Sequence, residues 1–263
     1  MSLEVHCVAS GSSGNCILIR NGYKAVLIDA GIGIRKLAPI LRSLGVDGED
    51  LLGILITHEH NDHVAGAVRL AQRYGVPIIA NAETLSAIEG VEQVPHHALD
   101  VGKAITFESL IIRSFPVSHD AVRPVGYHVS NSSATVCIAT DTGIITPEMR
   151  EAATEADLLI VESNHDPEML RVGPYPWYLK QRIASDVGHL SNDNAARLLR
   201  DIANTGRAIT AWLAHLSKTN NSPRVAFNTV REALASVHGA PNIKVGIALR
   251  DVPSLHWVEG IAV

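Results

Sequence analysis

The sequence predicts an α+β fold in which two β-sheets pack together with helices on the outside. Three observations point there. Short apolar runs rich in Val, Ile and Thr recur between turn signals. The first part of the chain is strand-rich and hairpin-linked, whereas strands and helical patterns alternate later. Several apolar runs also end directly on a metal-ligand residue type: at Asp29, Thr57-His58, Ser118-His119, Asp141 and His215. Strand ends on one sheet edge can converge, and rigid strands hold side chains with the precision a metal requires.

In chain order, strands are expected over 3–8, 16–20, 24–28, 53–57, 76–80, 105–107, 110–117, 125–130, 134–139, 158–162, 208–214 and 243–248. Helical patterns fit 34–44, 64–74, 82–88, 147–156, 192–204 and 223–237. Asn131-Ser132-Ser133 between two apolar runs reads as a hairpin turn. Ser191 is placed to cap the helix that follows, and Pro223 suits a first helical turn. Residues 171–190 form the least regular segment and are expected as a long loop, a feature that in a compact domain is often functional. No linker, low-complexity stretch or internal repeat interrupts the chain, so residues 1–263 are expected to form a single domain with no inserted second one.

Composition narrows the class. Of 263 residues, 46% are hydrophobic and 19% charged, which excludes a disordered chain. The odd set of cysteines, Cys7, Cys16 and Cys137, sits in or beside apolar runs and reads as buried thiols in a reducing compartment. With no basic, apolar leader and no membrane-length apolar run, a soluble cytoplasmic protein is expected. A formal net charge of −5 gives no basic stripe of the kind that advertises nucleic-acid binding. Bound divalent metals would change the local sign without entering that count.

The chemistry concentrates in Thr57-His58-Glu59-His60-Asn61-Asp62-His63, which puts four first-row-metal ligands between a buried strand and an amphipathic helix. Imidazole and carboxylate suit zinc, manganese or iron. Alternate residues of an extended turn can face one metal while Asp62 and His63 reach a second. His119 would complete a three-histidine set, His215 would join Asp62 and His63, and Asp141 could bridge. Asp29 fits either direct coordination or the orientation of a ligating histidine. Two such metals would hold a bridging hydroxide as nucleophile and stabilise developing charge.

Thr57–His63 with His119, Asp141 and His215, in that order, resembles the metallo-β-lactamase superfamily across nearly the whole chain. The resemblance implies a four-layer αββα sandwich with a dinuclear site on one edge. It implies that His58, His60 and His119 hold one metal, that Asp62, His63 and His215 hold the other, and that Asp141 bridges. Asp141 stands where true lactamases usually have cysteine or serine, and His60 where flavodiiron proteins usually have glutamate. The 141–215 interval is too short for nucleases with a large insertion there. Residues 9–15, Glu162-Ser163-Asn164-His165-Asp166, Tyr175-Pro176-Trp177 and Ser185–Asn192 resemble the YycJ/WalJ-like branch, which implies 5'-to-3' DNA exonuclease activity. The last segment also resembles the His-x-Ser/Thr element of other phosphodiesterases, whose histidine lies beside the scissile phosphate.

Asp62 and His189 are therefore the catalytic candidates, His189 because imidazole titrates near neutral pH and can protonate a leaving oxygen. His165, Ser12, Asn15 and Arg182 are the candidate substrate contacts, Ser10–Asn15 as a turn presenting backbone amides to an anion and Arg182 as part of a basic and aromatic segment with Arg171, Lys180, Tyr175, Trp177 and Tyr178. His6, His96, His97, His128, His238 and His256 show no partner pattern and read as surface or packing residues. Two other readings stand beside the DNA exonuclease: a small-molecule hydrolase of the same fold acting on a cyclic phosphodiester or thioester, and a non-catalytic metal-stabilised nucleic-acid-binding protein.

Overall fold

In the computed structural model, residues 2–237 and 242–260 are described. The first strands form an antiparallel meander, β1 (Leu3–Ala9), β2 (Cys16–Asn21) and β3 (Lys24–Ile28), continued in parallel by β4 (Leu51–Leu55), β5 (Ile78–Ala80) and β6 (His96–Ala98). The second sheet begins with the antiparallel β7 (Ala104–Phe107), β8 (Leu110–Pro116), β9 (Val125–Ser130) and β10 (Thr135–Ala139). It then runs parallel through β11 (Leu158–Glu162), β12 (Ile209–Ala214) and β13 (Ile243–Ile247). The last strand, β14 (Leu255–Val258), returns to the first sheet as an antiparallel edge on β1.

Both faces of each sheet are covered. Val5, Ile17, Val26 and Leu55 of the first sheet meet Ile112, Tyr127, Ile138, Ile160 and Trp212 of the second in a shared core. The outer face of the first sheet (Leu18, Leu27, Ile54) packs on α1 (Ile34–Ser43), α3 (Ala67–Tyr74) and α4 (Ala82–Ala87) through Leu37, Leu41, Leu70, Ala71 and Leu85. The outer face of the second (Leu159, Val161, Leu213) packs on α5 (Pro147–Glu155), α8 (Asn192–Ala203) and α9 (Pro223–Ala235) through Met149, Leu198, Leu199 and Val230. The layers are α, β, β, α, as expected. Parallel strands buried on both faces read as unbroken apolar runs, and β11 (Leu-Leu-Ile-Val-Glu) is one such strand. Ser191 caps α8 through the Asn194 amide, and Pro223 opens α9. All three cysteines are buried free thiols.

The differences from expectation have local causes. The helix expected from residue 64 is interrupted: α2 (Asn61–Val64) stops and α3 restarts at Ala67. A Cβ on the intervening Gly66 would lie 2.2 Å from the Ile32 carbonyl, so the chain there follows a close backbone contact rather than the helical period. Residues 171–190 are less irregular than expected, holding the end of α6 (Pro167–Val172) and all of α7 (Trp177–Ile183). No residue of α7 is buried, so it carries no apolar stripe to read. Strands β6 and β14 were not expected from the sequence: β6 is wholly exposed, and β14 buries only Trp257, so neither carries an apolar run. Among the described residues, no helix is long and apolar enough to cross a membrane.

Candidate metal centre

The site lies where the ends of β3, β4, β10, β11 and β12 meet. At the end of β3, Asp29 adopts φ 61°, and at the end of β12, His215 adopts φ 53°, both in the left-handed region that L-residues seldom occupy. Such strain persists where the surroundings over-determine it, and it often marks function. The Asp29 amide bonds the Leu55 carbonyl (2.8 Å), and the His215 amide bonds Ser10 Oγ (2.8 Å). The loop after β4 is fixed by a close approach: a Cβ on Gly31 would lie 1.6 Å from the Asp62 carbonyl oxygen.

Four sets of ligand-type atoms at this site lie within 4.8 Å of one another: His58, His60 and His119; Asp62, His63 and His215; His58, His63 and Asp141; and Asp141, Glu162, His189 and His215. Asp141 lies between the first two sets, with Oδ2 3.2 Å from His63 Nε2 and Oδ1 3.9 Å from His119 Nε2 and 3.1 Å from His215 Nδ1. Asp62 Oδ2 is 3.7 Å from Nε2 of both His63 and His215.

Four of these rings are held from behind at Nδ1. His63 Nδ1 bonds Asp29 Oδ2 (2.8 Å), His215 Nδ1 bonds Glu162 Oε1 (2.8 Å), and His119 Nδ1 bonds the Gly188 carbonyl (2.9 Å). Each partner is an acceptor, so Nδ1 carries the proton and Nε2 faces the cluster. His58 Nδ1 lies 3.0 Å from Thr57 Oγ1, whose own proton goes to Asp29 (2.9 Å), so that hydroxyl accepts from the ring. Asp29 therefore sits behind the cluster, fixing both Thr57 and His63. Among the described residues, the buried atoms His58 Nε2, His215 Nε2 and Asp141 Oδ2 have no hydrogen-bond partner. Orphaned buried polar atoms are costly, and cations bound among these ligand sets would give each of them a partner. The donor set fits divalent metal.

The electrostatics match a site built for cations. Burial opposes ionisation of Asp141, but His215 and His63 hold its carboxyl well below the ordinary range. Burial also opposes the His63 cation, yet Asp29 and Asp141 raise its pKa to about 10. Burial, together with the neighbouring His63, keeps His58 well below its ordinary value.

His189 stands at the rim, its ring centroid 5.0 Å from that of His119 and 5.3 Å from that of His215. Its Nδ1 bonds the same Glu162 Oε1 that holds His215 (2.8 Å). Burial disfavours the His189 cation, but Glu162 outweighs it and raises the pKa. Glu162, fully buried, also accepts the Thr142 (2.9 Å) and Leu190 (3.0 Å) amides through Oε2. The sequence reading did not single out Glu162 as a site residue. Its signal was a carboxylate ending an otherwise apolar strand.

A cleft of about 200 Å³ opens beside His189, lined by Ser12, Asn164, Tyr175, Arg182 and Ser217 among others. Arg182 reaches across it to pair with Asp120, the residue after His119. Ser12 is exposed on this cleft. Asn15 is instead buried at the cluster itself, its side-chain nitrogen 3.0 Å from the cluster-facing His63 Nε2 and its oxygen accepting from the Gly11 amide. His165 is buried too, with its pKa lowered to about 4 by desolvation, and its neighbour Asn164 is the residue that lines the cleft.

Residues 24–215 match the family described as beta-lactamase superfamily domain. The chain belongs to the metallo-β-lactamase superfamily. Within the superfamily, it is 42% identical over 235 residues to the exodeoxyribonuclease WalJ of Streptococcus pneumoniae, covering 87% of each chain. It is 38% identical over 238 residues to the exodeoxyribonuclease YycJ of Bacillus anthracis, covering 89% of this chain and 90% of that one. The fold matches the metallo-β-lactamase fold protein YhfI of Bacillus subtilis, with a TM-score of 0.72 at 17% identity over 98% of this chain and 100% of that one. With this superfamily, these relatives and this cluster, the protein is a metal-dependent hydrolase. Of the histidines read as surface or packing residues, His96 and His97 lie on exposed β6, His128 is half-buried near Glu155, and His238 falls outside the described residues.

Proposed function

We propose that this chain is a dinuclear metal phosphodiesterase that degrades DNA from the 5' end. The observation that carries the reading is His189: an imidazole at the rim of the cluster, tied through Glu162 to the same carboxylate oxygen as His215, and open to the cleft. Phosphodiester cleavage needs a proton for the leaving oxygen, and a histidine whose cation is favoured by a buried carboxylate suits that task. The names of WalJ and YycJ support DNA as the polymer and exonucleolytic attack as the mode.

In this reading His58, His60 and His119 hold one metal, Asp62, His63 and His215 the second, and Asp141 both. Zinc, manganese and iron all suit this donor set. Bound there, the metals supply Lewis acidity toward the phosphate and lower the pKa of water. The protein's own groups do the rest. Asp62 accepts a hydrogen bond from the attacking water and orients it. His189 gives its proton to the departing oxygen while Glu162 keeps the ring aimed. Arg182 exchanges Asp120 for a substrate phosphate, and Ser12 contacts the same strand. Asn15 acts at the cluster, where its side-chain nitrogen keeps His63 and Asp62 in register, and His165 supports the cleft wall next to Asn164.

The test is a matrix of metals and substrates. Metal-free protein is reloaded with Zn²⁺, Mn²⁺ or Fe²⁺ and given 5'- and 3'-labelled DNA, RNA, a cyclic phosphodiester and a thioester. The expected result is stepwise release from DNA 5' ends, abolished in His60→Ala. Turnover of the thioester or cyclic diester with DNA left intact overturns the reading in favour of a small-molecule hydrolase. DNA binding without cleavage under every metal makes the protein a binding module.

A further inference from the structure

Parallel strands end on one edge of their sheet, and ligands bind beyond those ends. β12 and β13 run parallel, so the loops that follow them lie side by side at the edge that carries the metal cluster. The loop after β12 begins with His215 and continues through Ser217 and Lys218. The loop after β13 supplies none of the ligand-type atoms gathered at the cluster. A second cavity, of about 460 Å³, lies between these loops, lined by Ser217, Lys218, Leu249, Arg250, Asp251 and Val252 among others. Ligand sites commonly measure about 300–1,000 Å³. Ser217 also lines the cleft beside His189, so the two openings adjoin at that residue.

The walls combine free positive charge with exposed apolar surface. Lys218 is exposed and Arg250 half-buried, and among the described residues neither side chain has a hydrogen bond or ion pair. The Arg250 stem is seated against the 10–15 turn: a Cβ on Gly11 would lie 2.7 Å from its Cγ. That turn is tied to the loop after β13, with the Ser10 amide donating to the Leu249 carbonyl (3.1 Å). Asp251, the one acid on the cavity wall, is engaged by Ser13 Oγ, which donates to its Oδ1 (2.7 Å). Lys36 Nζ donates to the Asp251 carbonyl (2.7 Å) and brings a third cation to the rim. The cavity is thus positive in a chain whose formal net charge is −5. Leu249 and Val252 are exposed apolar side chains on the same wall.

We propose that this cavity is a subsite for the DNA strand, in which Lys218 and Arg250 hold a phosphate neighbouring the one being cut while Leu249 and Val252 pack on its sugar or base. This rests on the phosphodiesterase reading of the cluster and gives the substrate a path: past Arg182 and Ser12, over Ser217 and into the cavity. Contacts to a neighbouring phosphate position a strand without reading its sequence. A substrate with a single phosphate gains nothing from them.

The experiment compares wild type with Lys218→Gln/Arg250→Gln and with Lys218→Gln alone, all full-length, loaded with the same metal and checked for an unchanged Tm. Binding is read by fluorescence anisotropy, across a range of salt, on a 3'-labelled single-stranded DNA with cleavage-resistant phosphorothioate linkages. The double variant is expected to bind about tenfold more weakly at low salt, the loss of one charge-assisted contact to phosphate. Its slope of log Kd against log salt should be shallower by about 0.7. Lys218→Gln, changed at an exposed position, should move in the same direction by less. In turnover, KM for unmodified DNA should rise with Kd, whereas KM for bis(p-nitrophenyl) phosphate, which carries one phosphate, should stay at the wild-type value. Equal Kd and salt slope in variants and wild type overturn the proposal and leave the nuclease reading standing. A KM raised equally for both substrates also overturns it, because the two cations then act on the catalytic centre and not on a separate phosphate. Wild-type protein that turns over the small diester but neither binds nor cuts DNA overturns the nuclease reading, and this subsite with it.

Discussion

Replacing Glu162 with Gln removes one negative charge at a fully buried position while preserving shape. Its Oε1 accepts from two histidines and its Oε2 from two amides. A glutamine offers one acceptor oxygen and one NH₂, so whichever way it lies, a donor faces donors. Breaking a buried charged network of this kind costs about 3–5 kcal/mol of stability. If His189 donates the leaving-group proton, losing its orienting carboxylate lowers kcat by about 10²–10⁴-fold. The pH profile carries the sharper sign. Glu162 raises the His189 pKa, so activity that needs the protonated ring persists to higher pH in wild type. Removing Glu162 lowers the folded-state pKa, and the alkaline limb of the kcat profile moves to lower pH. The assay is release of label from 5'-labelled DNA at saturating metal across pH 6–10. Saturating metal matters because His215 also loses its partner and metal affinity falls about 10–100-fold. A variant with wild-type kcat and an unmoved alkaline limb would refute the role given to the Glu162–His189 pair.

Three further outcomes are expected. Gly31→Ala drives a methyl into the Asp62 carbonyl, so either the turn shifts or the fold strains; a lower Tm and weaker metal uptake should appear together, measured by calorimetry and metal titration. Metal uptake should release protons, because carboxylates overcome burial to keep His63 protonated up to about pH 10 and His215 well above its ordinary value; affinity at neutral pH then falls as pH drops, by about tenfold per unit for each proton released, and binding enthalpy varies with the buffer's ionisation heat. Arg182→Ala should raise KM for DNA several-fold at low salt, leave kcat within about threefold and flatten the salt dependence, since Arg182 lies at the cleft and not among the ligands.

The cluster was legible because its chemistry is local. Four ligands in six residues is far denser than average usage, and Asp141 and His215 each follow a buried, largely apolar strand. Glu162 was harder to read, although it also ends such a run. Its importance depends on β11 lying beside β12, where Glu162 pairs in register with Ala214, one residue before His215. No periodicity encodes that adjacency. Asn15 shows the opposite effect: a Ser- and Gly-rich turn suggests anion binding, but Gly31, which has no side chain, lets the Asp62 backbone approach and puts Asn15 against His63. His6 and His256, whose rings stack across β1 and β14, showed no partner pattern because β14 carries no apolar run to mark it as a strand, so the register that joins them was invisible too.

The geometry of the centre depends on the seam between the sheets more than on either sheet alone. The first sheet supplies the 58–63 turn and Asp29; the second supplies Asp141, Glu162 and His215. Hydrogen bonds join them at the site itself: the His215 amide to Ser10 Oγ, the Tyr127 hydroxyl to the Ile56 carbonyl (2.8 Å), and the Val125 amide to the Thr57 carbonyl (3.0 Å). Left-handed backbone at Asp29 and His215 costs on the order of 1–3 kcal/mol each. That strain is sustained only while both sheets hold their ends in place. A bound cation and the packed inter-sheet core therefore stabilise the same arrangement. Loosening the seam should weaken metal binding even where no ligand is touched, because the ligands are correctly spaced only when the two sheet edges meet.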